Sequence, residues 1–360
     1  TIMNVQDEIS DKRNAKEFKG ITFSKYKRTD VKKELLKCLI AGKIEHSCHW
    51  SAEFICAGLY AELWEIILQF TGKNIYLGNP KLPIYLQSRY ENFKDILFGG
   101  YLDNELAMRN NIKIRKLFAE LICILCLSRK KHPLSKISVD INDFNMANLS
   151  EKLKAKSVNY AQLFFTKEDP NDFFIAVNEF GYHLSNDSKN SAMACYWLEW
   201  IFEYEKILKK QKSKVICGRR SYVPVKENEQ MDIVWIIWDI LLYQATRRGS
   251  GHMKILKALL DVFCMRWTSG SKKRRRWLLY FGIMLVTDVY NTNTPLFTDK
   301  QKIDNIKNKI NVVYRQIKKN EEKPATDYLF NNSFTDKANN LEKTIAKLDK
   351  MSQIGYIPRG

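Results

Sequence analysis

The sequence predicts an all-α protein, and three observations carry that expectation. Glycine (15) and proline (8) are scarce in 360 residues, so the chain lacks the punctuation that turn-rich β folds need. Large apolar residues recur at spacings of three and four over residues 53–70, 193–210 and 231–248, the period of helices that bury one face. Alternation at period two never runs past four residues, and KISVDIND (136–143) comes nearest to a strand. With 45% apolar and 12% aromatic residues, the chain can bury a sizeable core.

Taken in order, residues 1–30 are polar, mixed in charge and read as an N-terminal arm. Residues 31–140 read as a first helical module, with EFICAGLYAELWEIILQF (53–70) as its main helix. Ser51 ahead of that helix and Asp103 ahead of NELAMRNN are N-cap candidates. A connecting helical segment follows over 141–186, and a second module over 187–297, where Asp187 or Ser188 would cap KNSAMACYW. MDIVWIIWDILLYQATRR (231–248) is apolar nearly all round at its centre and is expected to be a buried helix. Residues 298–360 read as a C-terminal helical arm. Its first stripe joins Ile303, Ile306, Ile310, Val313 and Ile317; a polar linker spans 321–332, and a thinner stripe runs through Leu341, Ile345, Leu348 and Met351. A narrow apolar seam flanked by charge suits docking on a neighbouring subunit, while packing back on the chain's own core is the other reading.

The two modules resemble one another. NIKIRKLFAELIC (111–123) and HMKILKALLDVFC (252–264) share Lys, Ile, Lys, an acidic residue and Cys at a constant offset of 141. KLPIY (81–85) faces YVPVK (222–226) at the same offset, and SCHWSAEFI (47–55) faces ACYWLEWIF (194–202) at 147. Three collinear pairs point to an internal duplication, where one pair alone would be chance likeness between amphipathic helices.

The net charge of +19 is unevenly placed. Residues 206–276 hold 18 Lys/Arg against 5 Asp/Glu, an excess of +13 from one quarter of the chain. Three runs carry it: KILKKQKSK (206–214), GRR (218–220) and SKKRRRW (271–277). Any single run reads equally as a solvated helix face. Together they predict a basic surface of Lys209, Lys210, Lys212, Lys214, Arg219, Arg220, Lys272, Lys273, Arg274, Arg275 and Arg276. Such a surface suits phosphate backbones or an acidic protein.

DSKNSAMACYWLEWI (187–201), a polar turn followed by small residues and Tyr-Trp-Leu, resembles the C-terminal helical collar of AAA+ ATPases related to clamp loaders. The likeness covers about twenty residues per copy and implies a helical fold only. No G-x-x-x-x-G-K-[ST] occurs, and Gly72-Lys73 lacks the upstream glycine and hydroxyl of a phosphate loop. WSAEFICAGLYAELWEIILQF with GNPKLPIY (50–70 and 78–85) resembles an uncharacterised protein family of giant DNA viruses, over most of residues 45–290. That resemblance implies a setting in a virion or in a virus factory of the host cytoplasm, and no activity.

Catalytic and metal chemistry find little support. His46, Cys48 and His49 cluster and Cys123-x-x-Cys126 offers a thiol pair, but both stretches read as helix and the cysteines sit among Ile and Leu. Nucleophile-elbow and zinc-protease motifs are missing from the sequence, and no cofactor is expected. Glu62/Glu65 and Glu203/Glu205 read as helix-surface charges. The eight cysteines are expected to be free thiols inside a core. Trp197, Trp200, Trp235, Trp238 and Trp267 read as core, leaving Trp277 beside Arg276 as an exposed contact candidate.

The expectation is a non-enzymatic viral structural protein, a minor capsid or internal scaffold component. It would bind other capsid or virion proteins through its arms and basic surface. A nucleic-acid-binding accessory factor of viral replication or transcription, holding DNA or RNA on the same surface, is the alternative.

Overall fold

The computed structural model describes residues 5–322 and 340–354. It is all-helical as expected, with no strand among the described residues and a lone β-bridge between Ile21 and Lys27. The helices are α1 (Arg28–Ala41), α2 (Ile44–Cys56), α3 (Tyr60–Phe70), α4 (Leu82–Phe98), α5 (Ile112–Leu127), α6 (Met146–Leu149), α7 (Asn159–Gln162) and α8 (Phe174–Leu184). There follow α9 (Ser191–Lys210), α10 (Val234–Arg248), α11 (Ser250–Phe263), α12 (Ser271–Arg274), α13 (Arg276–Thr287), α14 (Lys300–Lys309), α15 (Asn311–Lys318) and α16 (Leu341–Ile354). KISVDIND is not a strand: it is irregular and ends in a 3₁₀ turn, Ile141–Phe144, started by an Asp140/Asp143 capping box.

The chain forms two compact units. Unit 1 comprises Thr1–Phe70, Ser88–Arg129 and Pro295–Gly360; unit 2 comprises Thr71–Gln87 and Lys130–Thr294. These boundaries differ from contiguous modules at 31–140 and 187–297. The first module lends residues 71–87 to unit 2, and the C-terminal segment joins unit 1.

In unit 1, α2 is buried along its whole length and is packed by α1, α3, α5 and α15. The single helix expected over 53–70 is broken after Cys56. Gly58 adopts φ +72°, and Leu59 N–H donates to Phe54 O at 2.8 Å, the Schellman closure that a left-handed glycine permits. Ser51 is therefore inside a helix, its hydroxyl donating to Cys48 O at 2.9 Å, and not an N-cap. Asn104 and Asn190 do the capping that sequence assigned to Asp103 and to Asp187 or Ser188, and Asn111 caps α5.

Both terminal stretches belong to unit 1. The N-terminal segment inserts Ile9, Phe18 and Phe23 into the core. Arg13 grips Asp11 through two hydrogen bonds, and its guanidinium lies 4.8 and 4.9 Å from the Phe18 and Phe23 ring centres. The fully buried Arg115 ties three segments together. It donates to Asp7 O at 2.9 Å, Arg109 O at 2.8 Å and Asn311 Oδ1 at 3.0 Å, and lies 4.0 Å from the Tyr314 ring centre.

Of the two readings of this stripe, docking on a neighbouring subunit is corrected and packing on the chain's own core is the arrangement found. Ile303, Ile306, Ile310, Val313 and Ile317 are all buried, none above 4% exposed, where α14 meets α5 and α15 meets α2. The physical reason is area: α2 and α5 offer this stripe an apolar surface within its own unit, and burial there needs no second chain. In the thinner stripe Leu348 is buried, and α16 is anchored by Tyr26 Oη to Thr344 Oγ1 (2.7 Å) and by Lys43 Nζ to Asp349 (2.8 Å). Most of the polar linker expected over 321–332 lies outside the described residues.

In unit 2, α8 packs on α9 across the turn at 185–190, and α13 sits against α9, α10 and α11. Val234–Trp238 of α10 are fully buried, as their apolar surroundings predict. Gly72 has a packing role: a Cβ there would come within 2.7 Å of the Trp277 backbone. Trp277 itself is half-buried under Lys73 Nζ, 5.1 Å from the ring centre, and so is not a free contact.

Of the three repeat pairs, two keep their likeness. Cys48/Cys195 and Trp50/Trp197 are buried in α2 and α9; Ile114/Ile255 are buried in α5 and α11, and Cys123/Cys264 are buried in α5 and at the C-cap of α11. The third does not. Pro83 stands in the first turn of α4 while Pro224 lies in an irregular turn, and both belong to unit 2. The fold leaves the duplication unestablished.

Replacing Ile317 with Ala should cost unit 1 about 2–5 kcal/mol, read from urea unfolding of the isolated chain. An unchanged midpoint would mean that this stripe does not hold the unit together.

Candidate polyanion-binding face

The cationic stretch 206–276 lies in unit 2, and burial divides it into two sets. The larger side chains of the first set are inside, against sequence expectation. Lys272 is 1% exposed; its Nζ donates to Glu205 Oε1 at 2.6 Å and to both Asp232 oxygens at 2.7 and 2.8 Å. Arg220 is buried and makes a bidentate pair with Asp169 (2.6 and 2.8 Å), a third bond to Asp239 (3.1 Å) and two to the carbonyls of Gly218 and Phe164. Arg276 is partly buried and holds both Glu199 oxygens at 2.9 and 2.7 Å, while Tyr280 Oη donates to the same carboxylate at 3.0 Å. Arg275 is buried and donates to Phe263 O at 2.6 Å.

These four are corrections to the expected basic surface. A buried cation survives only where carboxylates or carbonyls replace its water, and here they do. Their partners were missed as well. Glu205, read as a surface charge, is buried, and Glu199 is fully buried; Glu203 alone of that helix stays half-exposed. Burial would push the Asp169 carboxyl up, but Arg220 and the amides of Thr166 and Gly218 hold it below the usual carboxylate range. The Glu205 carboxyl is likewise lowered: burial opposes this, and Lys272 and Lys209 outweigh it.

The second set is at the surface. Lys209, Lys210, Lys212, Lys214 and Arg219 are exposed at the end of α9 and in the loop beyond it. Lys209 pairs with Glu205 at 2.7 Å and Arg219 with Glu227 at 3.1 Å. Among the described residues no ion pair joins Lys210, Lys212 or Lys214. Arg274 is also exposed, though it donates to Ser271 Oγ at 3.1 Å, and Lys273 is half-buried, its ammonium disfavoured by that burial. The positive face is thus the 206–214 stretch with its neighbours, smaller than the three runs implied.

Among the described residues, no group of three His, Cys, Asp or Glu side chains lies close enough to hold a metal ion. All eight cysteines are buried and none is in a disulfide; burial pushes the Cys38 thiol up to about 11 and the Cys56 thiol up to about 12. His46 Nε2 is 3.0 Å from Asp349, and His49 is buried, its pKa driven down to about 3 chiefly by loss of water. Trp197, Trp200, Trp235, Trp238 and Trp267 are core residues. No described helix is long and apolar enough to cross a membrane. No protein-family model matches the chain, and no curated protein or solved structure matches it either.

Two outcomes test this division. Lys272→Ala should destabilise the protein by about 3–5 kcal/mol, because it leaves Asp232 without its cation and the buried Glu205 with Lys209 alone, whereas Lys210→Ala should stay within about 0.5 kcal/mol; equal effects would contradict it. His49 binds its proton in the unfolded chain below pH 6.5 but in the folded one only near pH 3, so its share of stability is lost as pH falls through that window. His49→Gln should therefore flatten the fall of melting temperature between those limits; an unaltered slope would place His49 in water.

Proposed function

We propose that this chain is a non-catalytic helical binding component that takes a polyanionic partner on the exposed lysines of unit 2. The observation that carries the reading is the separation of charge within 206–276. Lys272, Arg220 and Arg276 are matched by internal carboxylates, while Lys210, Lys212 and Lys214 stand together at the surface with no ion pair among the described residues. Compensated cations hold the fold; uncompensated ones attract. The setting suggested by the viral resemblance is an assembled particle or a virus factory, with acidic capsid or virion proteins as partners. The inward-packed C-terminal stripe removes one ground for an arm-clasping scaffold and leaves the lysine face as the main one. The second reading, an accessory factor of viral replication or transcription, is favoured by the same lysines, because closely spaced ammonium groups neutralise neighbouring phosphates.

Replacing Lys210, Lys212 and Lys214 with Gln should weaken binding to an oligothymidylate strand or to heparin and lower the salt slope by about 2. Unchanged binding would dismiss this face. Proteomics of purified particles separates the two settings: many copies per particle support the structural reading, and absence from particles rejects it.

A further inference from the structure

Beside the lysines, unit 2 carries a groove of about 390 Å³, within the ordinary range of binding sites of about 300–1,000 Å³. One wall is the irregular stretch bearing Lys136 and Val139 together with the 3₁₀ turn Ile141–Phe144. The other is the last part of α9, through Glu203, Lys206, Ile207 and Lys210. The lining is apolar between charged rims. Val139, Phe144 and Ile207 are half-buried, and Ile141 stands 81% exposed beside them. A large aliphatic side chain so exposed gains by being covered.

The rim is cationic. Lys136, Lys206 and Lys210 face a single lining carboxylate, Glu203, which is already shared with Lys136 at 3.0 Å and Lys206 at 3.4 Å. The acidic residues nearby are committed elsewhere. Asp140 and Asp143 cap the 3₁₀ turn, and Asp143 also accepts from Lys152 at 2.6 Å and Tyr196 at 2.8 Å. An incoming anion meets Lys210, which has no ion pair among the described residues, beside two ammonium groups that share the one Glu203 carboxylate.

We infer that this groove binds an acidic peptide segment, seating aliphatic side chains on Val139, Ile141 and Ile207 while its carboxylates meet Lys206 and Lys210. This deepens the polyanion-binding reading and rests on it. Nucleic acid fits the lining less well. Bases stack on flat aromatic platforms, and here the lining has three aliphatic side chains and one ring. That ring, Phe144, already stacks on Tyr204 (6.0 Å between centres, 15°) and leans on Trp200 at 5.2 Å. Apolar contacts inside a charged rim are the usual means by which a groove holds an amphipathic segment.

The test is fluorescence anisotropy with the full chain and three labelled probes: a peptide of Glu-Glu-Leu repeats, its counterpart with Ser for Leu, and oligothymidylate. Ile141→Ser and the double variant Lys206→Glu, Lys210→Glu change exposed side chains, and circular dichroism checks that both remain folded. The Leu peptide should bind, with about tenfold loss for the Ser peptide and for Ile141→Ser, and greater loss for the double variant. Equal binding of the Leu and Ser peptides, or no effect of Ile141→Ser, overturns the groove. Tighter binding of oligothymidylate, lost in the double variant but not in Ile141→Ser, overturns the peptide and leaves the lysine face standing. Binding of no probe removes both.

Discussion

A cation taken out of water has to be met by carboxylates or carbonyls, and much of unit 2 is arranged to satisfy that requirement. Lys272 between Glu205 and Asp232, Arg220 between Asp169 and Asp239, and Arg276 on Glu199 each join residues far apart in sequence. Lys272 lies 67 positions from Glu205, and Arg220 lies 51 from Asp169. The Lys272 and Arg276 pairs set the approach of α12 and α13 to α9, the Arg220 pairs tie two irregular segments to α10, and removing one partner would leave a charge stranded. Unit 1 meets the same constraint with carbonyls, since Arg115 is held largely by main-chain oxygens of Asp7 and Arg109 and by the Tyr314 ring.

That constraint also shapes what the molecule can do. Half-neutralised runs of basic residues are poor guides to a binding face, because the ions that hold the interior are spent before a partner arrives. What is left outward is a short set of lysines at the end of α9, next to an apolar groove. This combination is more selective than diffuse positive charge. Long-range attraction brings in any polyanion, but the groove favours one that also carries apolar side chains.

The interior helices α10 and α2 differ in chemistry. In unit 2, α10 presents Val234–Trp238 as a fully buried apolar stretch. In unit 1 the central α2 brings Glu45, His46, Ser47, His49, Ser51 and Glu53 inside with it. Glu53 is fully buried and accepts from Ser24 N at 2.9 Å and Ser24 Oγ at 2.5 Å, with its pKa raised chiefly by burial. Polar groups so placed demand definite partners, which draws residues 22–26 and α16 onto this helix. The described parts of the terminal segments, residues 5–30, 298–322 and 340–354, are consequently parts of the unit and not arms.

The helical class, the positions of α5, α9, α10 and α11, the interior placement of the cysteines and of five tryptophans, and the charge imbalance of 206–276 were all readable from residue order. These follow from local periodicity and composition, which act over a few turns of chain. Tertiary structure alone decided the rest: the break at Gly58, the inward packing of the 303–317 stripe, the division of cations into buried and exposed, and the groove at Ile141. The packing and the division of cations depend on which distant residue supplies a partner, α2 and α5 against the stripe, Glu205 and Asp169 against the cations. An amphipathic pattern states that a face will be buried; only the assembled neighbours determine against what.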